Sequence, residues 1–68
     1  MRLTIETEQE VDGRWTAEVP QLPGVLAYGG TASEAMAKAE ALALRVLADR
    51  LDHGESRPAP IHIALATA

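Results

Sequence analysis

Polar and apolar positions alternate through the first stretch of the chain, RLTIETEQE, with Leu3, Ile5 and Thr7 on one side and Arg2, Thr4, Glu6 and Glu8 on the other. A period of two is that of a half-buried strand, whose successive side chains point to opposite faces. RWTAEV alternates in the same way and turns Trp15, Ala17 and Val19 inward, with Trp15 expected under the end of a helix. The intervening VDG reads as a hairpin turn, and the faces decide its register. A two-residue Asp-Gly loop would pair Glu8 with Ala17 and Glu6 with Val19, placing glutamates on the apolar side. A three-residue loop, Val11-Asp12-Gly13 with Gly13 left-handed, pairs Glu10 with Arg14, Thr7 with Ala17 and Ile5 with Val19, and the faces agree. This register gathers Glu6, Glu8, Glu10 and Glu18 on the outer face and sets Glu6 opposite Glu18, at a cost of about a few tenths of a kcal/mol. Such a face is either a solvated sheet surface or a docking surface for a cationic partner.

After Val19, PQLPG cannot continue an inner strand, because proline has no N–H and biases the residue before it to extended geometry. A stiff crossing is expected, then a short strand at VLAY, with Gly29 and Gly30 giving freedom to swing into a helix. Thr31 and Glu34 have the spacing of a capping box ahead of a long Ala/Leu run, which predicts a helix from Ala32 to His53 capped by Gly54. Glu34, Lys38, Arg45, Asp49 and Asp52 form its polar stripe, with Met36, Ala43 and Leu47 opposite; Leu42, Leu44 and Leu51 widen the apolar sector. Arg50 and His53 in the last turn suit the helix dipole. ESRPAP is a loop, and IHIALATA closes as a strand with Ile61, Ile63 and Leu65 on one face and His62 on the other. A strand, a helix and a strand returning to the same sheet run parallel, so the last strand is expected beside the first. The predicted architecture is α+β, a two-layer β-β-β-α-β domain with sheet order 3-2-1-4 and one long helix on one face, the topology of part of a ribonuclease-H-like sheet.

At 68 residues the chain has room for one domain, spanning 1–68, which buries only about 60% of its unfolded surface. With no cysteine for disulfides or a structural zinc, the remaining way to reinforce so thin a core is self-association, and a homodimer or higher homo-oligomer is expected. Ten acidic against six scattered basic residues give a net charge of −4. That excludes the basic patch of a nucleic-acid binder and favours a basic partner. MRLTIETEQE has no apolar signal-peptide core, and Ala35 to Leu51 is interrupted by Lys38, Glu40, Arg45, Asp49 and Arg50, so no membrane association is expected and the chain reads as cytoplasmic.

The side chains that could carry catalysis do not form a complete constellation. DHGES places Asp52, His53 and Ser56 near one another in sequence, but a triad also needs an oxyanion hole and a pocket. A two-metal nuclease needs carboxylates converging from the first strand, the helix and the last strand, and IHIALATA has none. His53 and His62 have no ligand spacing around them. No enzyme activity, no catalytic or metal residue and no cofactor is expected.

The segment from Asp12 to Glu55 resembles the N-terminal domain of the HicB-type antitoxin family, whose running pattern is an Asp-Gly hairpin, an extended strand, Val-Pro-x-Leu-Pro-Gly, a Gly-Thr helix start and Glu-Ala on its first turn. Asp12, Gly13, Val19, Pro20, Leu22, Pro23, Gly24, Gly29, Thr31, Glu34 and Ala35 match it. The resemblance implies a partial ribonuclease-H-like fold without nuclease residues, in a protein that binds a small basic HicA-like mRNA-cleaving toxin and neutralises it by occlusion. Glu6, Glu8 and Glu18 are then the candidate anion contacts, with Tyr28 or Trp15 as candidate anchors. PQLPG is read as architectural, fixing the third strand and the helix start. Gly30 and Val25 stand where the family often has an acidic residue and a cysteine. Members commonly append a DNA-binding segment; here the chain ends after the last strand, and direct nucleic-acid binding is not expected. The alternative is an orphan structural or small-ligand-binding module of the same fold with no toxin partner.

Overall fold

The computed structural model describes residues 1–67, which form β1 (Arg2–Gln9), β2 (Trp15–Glu18), β3 (Leu26–Gly29), α1 (Ala32–Asp52) and β4 (His62–Thr67). The strands make one sheet in the order β3-β2-β1-β4, antiparallel except for the parallel pair β1 and β4. The α+β class and the strand order are those predicted. The hairpin between β1 and β2 has the three-residue loop: Glu10 N–H donates to Arg14 O at 2.7 Å, Gly13 N–H donates to Glu10 O at 3.0 Å, and Gly13 has a φ of 93°. Its register pairs Thr7 with Ala17 and Glu6 with Glu18.

The proline-rich crossing is two consecutive turns. Leu22 N–H donates to Val19 O at 2.9 Å and Val25 N–H to Leu22 O at 3.0 Å, so Pro20 and Pro23 each take the second position of a turn, which their fixed φ suits. Gly24, at φ 92°, takes the left-handed third position of the second turn. Val19, Leu22 and Val25 are all buried, so the crossing forms part of the core. Where β2 has ended, Gln21 reaches back to β1: its Oε1 accepts from Thr4 N–H at 3.0 Å and its Nε2 donates to Thr4 Oγ1 at 3.3 Å.

At the N-terminus of α1, Thr31 Oγ1 accepts from Glu34 N–H at 3.0 Å. The helix buries Ala35, Ala39, Ala43 and Leu47, one residue per turn, against Leu3, Ile5, Ala17 and Val19 of the sheet side. Met36, expected at the centre of the apolar stripe, is only half-buried, because the centre is made of alanines that bring the helix backbone close to the sheet. The helix ends at Asp52, one residue before the expected His53, which is the cap. Gly54 follows at φ 68°, with Gly54 N–H donating to Leu51 O at 3.2 Å and Glu55 N–H to Arg50 O at 2.8 Å. This paired arrangement satisfies the last carbonyls of the helix.

On β4, Ile63 lies beside Leu3 and Leu65 beside Ile5, on the helix side of the sheet. Ile63 packs on the core, whereas Leu65 is 59% exposed, because α1 lies over β1, β2 and β3. Ile61, expected in the same row, precedes the strand, and Ala68 falls outside the described residues.

Candidate protein-binding face

The sheet face away from α1 is set by the alternation that buries Leu3, Ile5 and Thr7 on the other side. It carries Thr4, Glu6 and Glu8 from β1, Thr16 and Glu18 from β2, and Leu26 and Tyr28 from β3. The registers order them in rows across the strands: Glu6, Glu18 and Leu26 in one, Glu8, Thr16 and Tyr28 in the next. Glu6, Thr7, Glu8, Thr16 and Glu18 line a shallow groove of about 280 Å³. Thr16 Oγ1 donates to Glu8 O at 3.2 Å, fixing the groove floor.

Leu26 and Tyr28, 44% and 46% exposed, stand beside the acidic groove. The Arg14 guanidinium lies 5.2 Å from the Tyr28 ring centroid and pairs through Nε with Asp12 Oδ2 at 2.9 Å. Arg14 N–H also donates to Asp12 Oδ1 at 3.1 Å, and this bond, followed by the Arg14 side chain, holds the Asp12 carboxyl below its ordinary pKa. The hairpin tip therefore presents an ordered charge pair over an aromatic ring, a geometry that limits the rotamers open to Tyr28.

Of the residues singled out from the sequence, Glu6, Glu8, Glu18 and Tyr28 share this face. Trp15 does not: it alternates with Thr16, faces the helix layer opposite Gly29, and is half-buried against the core. Sequence reasoning passed over Leu26 and Arg14. The signal for Leu26 was the alternation of β3 itself, since any strand placing Ala27 inward places Leu26 and Tyr28 outward.

The local sequence cluster Asp52, His53 and Ser56 is not drawn into one site. His53 Nδ1 instead lies 2.8 Å from Asp49 O and 3.3 Å from Asp49 Oδ1, one helical turn back. Among the described residues no group of three or more His, Asp or Glu side chains is placed to hold a metal ion. Among the described residues no helix is long and apolar enough to cross a membrane. No family model, curated protein or solved structure matches the chain.

Proposed function

We propose that this chain is the toxin-binding domain of a HicB-type antitoxin, acting in the cytoplasm by covering a small basic HicA-like ribonuclease. The observation that carries the reading is the placement of Glu6, Glu8 and Glu18 on one uncovered sheet face, beside Leu26 and Tyr28. Carboxylates at the centre of a rigid sheet meet a cationic surface without a large ordering cost, and exposed apolar neighbours supply area that excludes water around the charge pairs. The net charge of −4 adds long-range attraction for the same partner. Support also comes from the HicB-type pattern running from Asp12 to Ala35, whose Val-Pro-Gln-Leu-Pro-Gly segment folds here into the two turns that fix β3.

Mixing the chain with a basic HicA-type ribonuclease and following both association and RNA cleavage tests the reading. Binding is expected to abolish cleavage. The double reversal Glu6→Lys with Glu18→Lys should weaken binding by about a hundredfold, and the association rate should fall about tenfold between low and physiological salt. A chain that leaves such ribonucleases active and unbound belongs to the alternative, a module of this architecture with another ligand.

A further inference from the structure

We propose that Arg2 and His62, at the end of the open sheet face away from Glu6 and Glu18, receive an acidic side chain of the same cationic partner. The partner then docks in one orientation, with its basic patch on the glutamates and its carboxylate on Arg2. This second contact, opposite in sign to the first, presupposes that the open face is the partner-binding one.

Register supplies the first ground. Arg2 on β1 lies beside His62 on β4, and Thr4 beside Ala64. Leu3 is buried on the helix side, so alternation turns Arg2, Thr4, His62 and Ala64 to the open face, where they border a shallow depression of about 380 Å³. The small Ala64 leaves that depression open, and among the described residues no carboxylate lines it. Four residues of extended strand put the Arg2 backbone about 13 Å from that of Glu6, and the row between them, Thr4 with Ala64, is uncharged. The face is therefore bipolar along β1, cationic at Arg2 and anionic at Glu6 and Glu8.

The second ground is that these donors have no partner within the chain. Ion pairs among the described residues join Arg14 to Asp12, Lys38 to Glu34 and His53 to Asp49; Arg2 and His62 enter none. The contrast with Arg14 is direct. Both guanidinium groups border the open face, and only that of Arg14 has a carboxylate of its own chain beside it, at 2.9 Å. Thr4 is set to donate as well. Its backbone N–H donates to Gln21 Oε1 at 3.0 Å, which turns the Gln21 amide nitrogen toward Thr4 Oγ1 at 3.3 Å and leaves the hydroxyl hydrogen for another acceptor. Guanidinium, hydroxyl and imidazole N–H thus border one depression, and a carboxylate can accept from two of them at once.

The third ground is area. The eight residues of β1 and the four strands of the sheet make a face of roughly 500 Å² at the usual rise and spacing. That is less than the ~600 Å² that each partner contributes to even a small specific interface. A protein seated on Glu6, Glu8 and Glu18 therefore extends over Arg2. There a cationic surface would be opposed by like charge, whereas an aspartate or glutamate side chain is held.

The sign of a charge reversal provides the test. Against a basic HicA-type ribonuclease, a uniformly cationic docking surface predicts that Arg2→Glu tightens binding, whereas a carboxylate on Arg2 predicts that it weakens binding by about tenfold or more in Kd. Arg57→Glu makes the same charge change in the loop before β4, and should leave Kd within about twofold of native or tighten it. Arg2 is exposed, so the far-UV spectrum should not change. Should Arg2→Glu nevertheless fail to fold, Arg2→Gln removes the charge without adding another and should weaken binding by about threefold. One acidic residue of the ribonuclease, changed to lysine, should restore binding to Arg2→Glu while weakening it for the native chain. Unchanged or tighter binding by the Arg2 variants, with binding still lost on Glu6→Lys with Glu18→Lys, would overturn the bipolar contact and leave the toxin reading standing. A native chain that binds no such ribonuclease would overturn both.

Discussion

Gly29 and Ala35 meet almost backbone to backbone, for a Cβ built on Gly29 would lie 2.6 Å from the Ala35 nitrogen and 3.0 Å from Glu34 Cβ. From the sequence this glycine looks like a hinge, yet its φ is not positive; its role is to let α1 descend onto β3, and only the three-dimensional contact reveals that. Gly29→Ala must therefore push the helix off the sheet. We expect a loss of about 2–3 kcal/mol, read as a lowered urea midpoint at unchanged m-value, whereas Gly30→Ala, with only the tip of Glu34 within 4 Å at 3.8 Å, should cost well under half as much. Thr7 behaves in the opposite way. It is 4% exposed in the middle of the apolar face, and its Oγ1 has no hydrogen-bond partner among the described residues. Valine keeps the shape and removes the buried hydroxyl, so Thr7→Val should raise stability by about 1 kcal/mol in the same unfolding experiment.

The hairpin of β1 and β2 was legible because two independent signals agreed there. Alternation fixed which residues face inward, and a glycine needing a left-handed conformation at Gly13 fixed where the register begins. The helix was legible at its ends, through Thr31 and Gly54, and in its rotation through the exposed stripe of Glu34, Lys38, Arg45, Asp49 and Asp52 and the buried Ala43 and Leu47, but not in its first turns, where Ala35 and Ala39 rather than Met36 meet the sheet. Alanine occurs there at 35, 37, 39 and 41, so small apolar side chains point in every direction and the sequence does not mark which of them the sheet will touch. The bond from Gln21 to Thr4 was invisible for another reason: it joins a turn side chain to a strand backbone, and no periodicity encodes it. Removing it by Gln21→Ala leaves the Thr4 N–H without its partner and should cost about 1 kcal/mol by urea unfolding, with the hairpin register unchanged in cross-strand NMR contacts. The two anchoring carboxylates give the elements a pH dependence. The pKa of Glu34 is lowered chiefly by its hydrogen bond from Lys38, and that of Asp12 by the Arg14 N–H. For groups depressed in the folded state, stabilisation is present above the unfolded pKa and is lost as pH falls through the folded one. Thermal unfolding of the native chain against Asp12→Asn should therefore show the native advantage in full near neutral pH and its progressive loss as pH falls below 3.8 and through the depressed pKa of Asp12, salt reducing it throughout because both groups are exposed.

Across the molecule, one face of the sheet carries the helix and the other is left open with like charges side by side. Glu6 and Glu18 are direct cross-strand partners, an arrangement that destabilises an isolated sheet and that a threonine or glutamine on either side would relieve. Stability alone gives no reason to keep this pair, whereas a cationic partner converts the same two carboxylates from mutual repulsion to shared attraction. The consequence is a substitution whose effect changes sign with the measurement. Glu18→Gln should raise the free chain's stability by about 0.3–0.5 kcal/mol at low salt, and the gain should shrink as salt screens the native pair. Against a basic HicA-type ribonuclease the same substitution should weaken binding by about tenfold, mainly through a slower association rate. If Glu18→Gln stabilised the free chain and left binding untouched, the glutamates would be only a solvated surface, and the partner contact would have to be sought elsewhere on the molecule. Opposite shifts in the two experiments are what a face shaped for a cationic partner requires, because only a surface held open for another protein makes the less stable residue the better one.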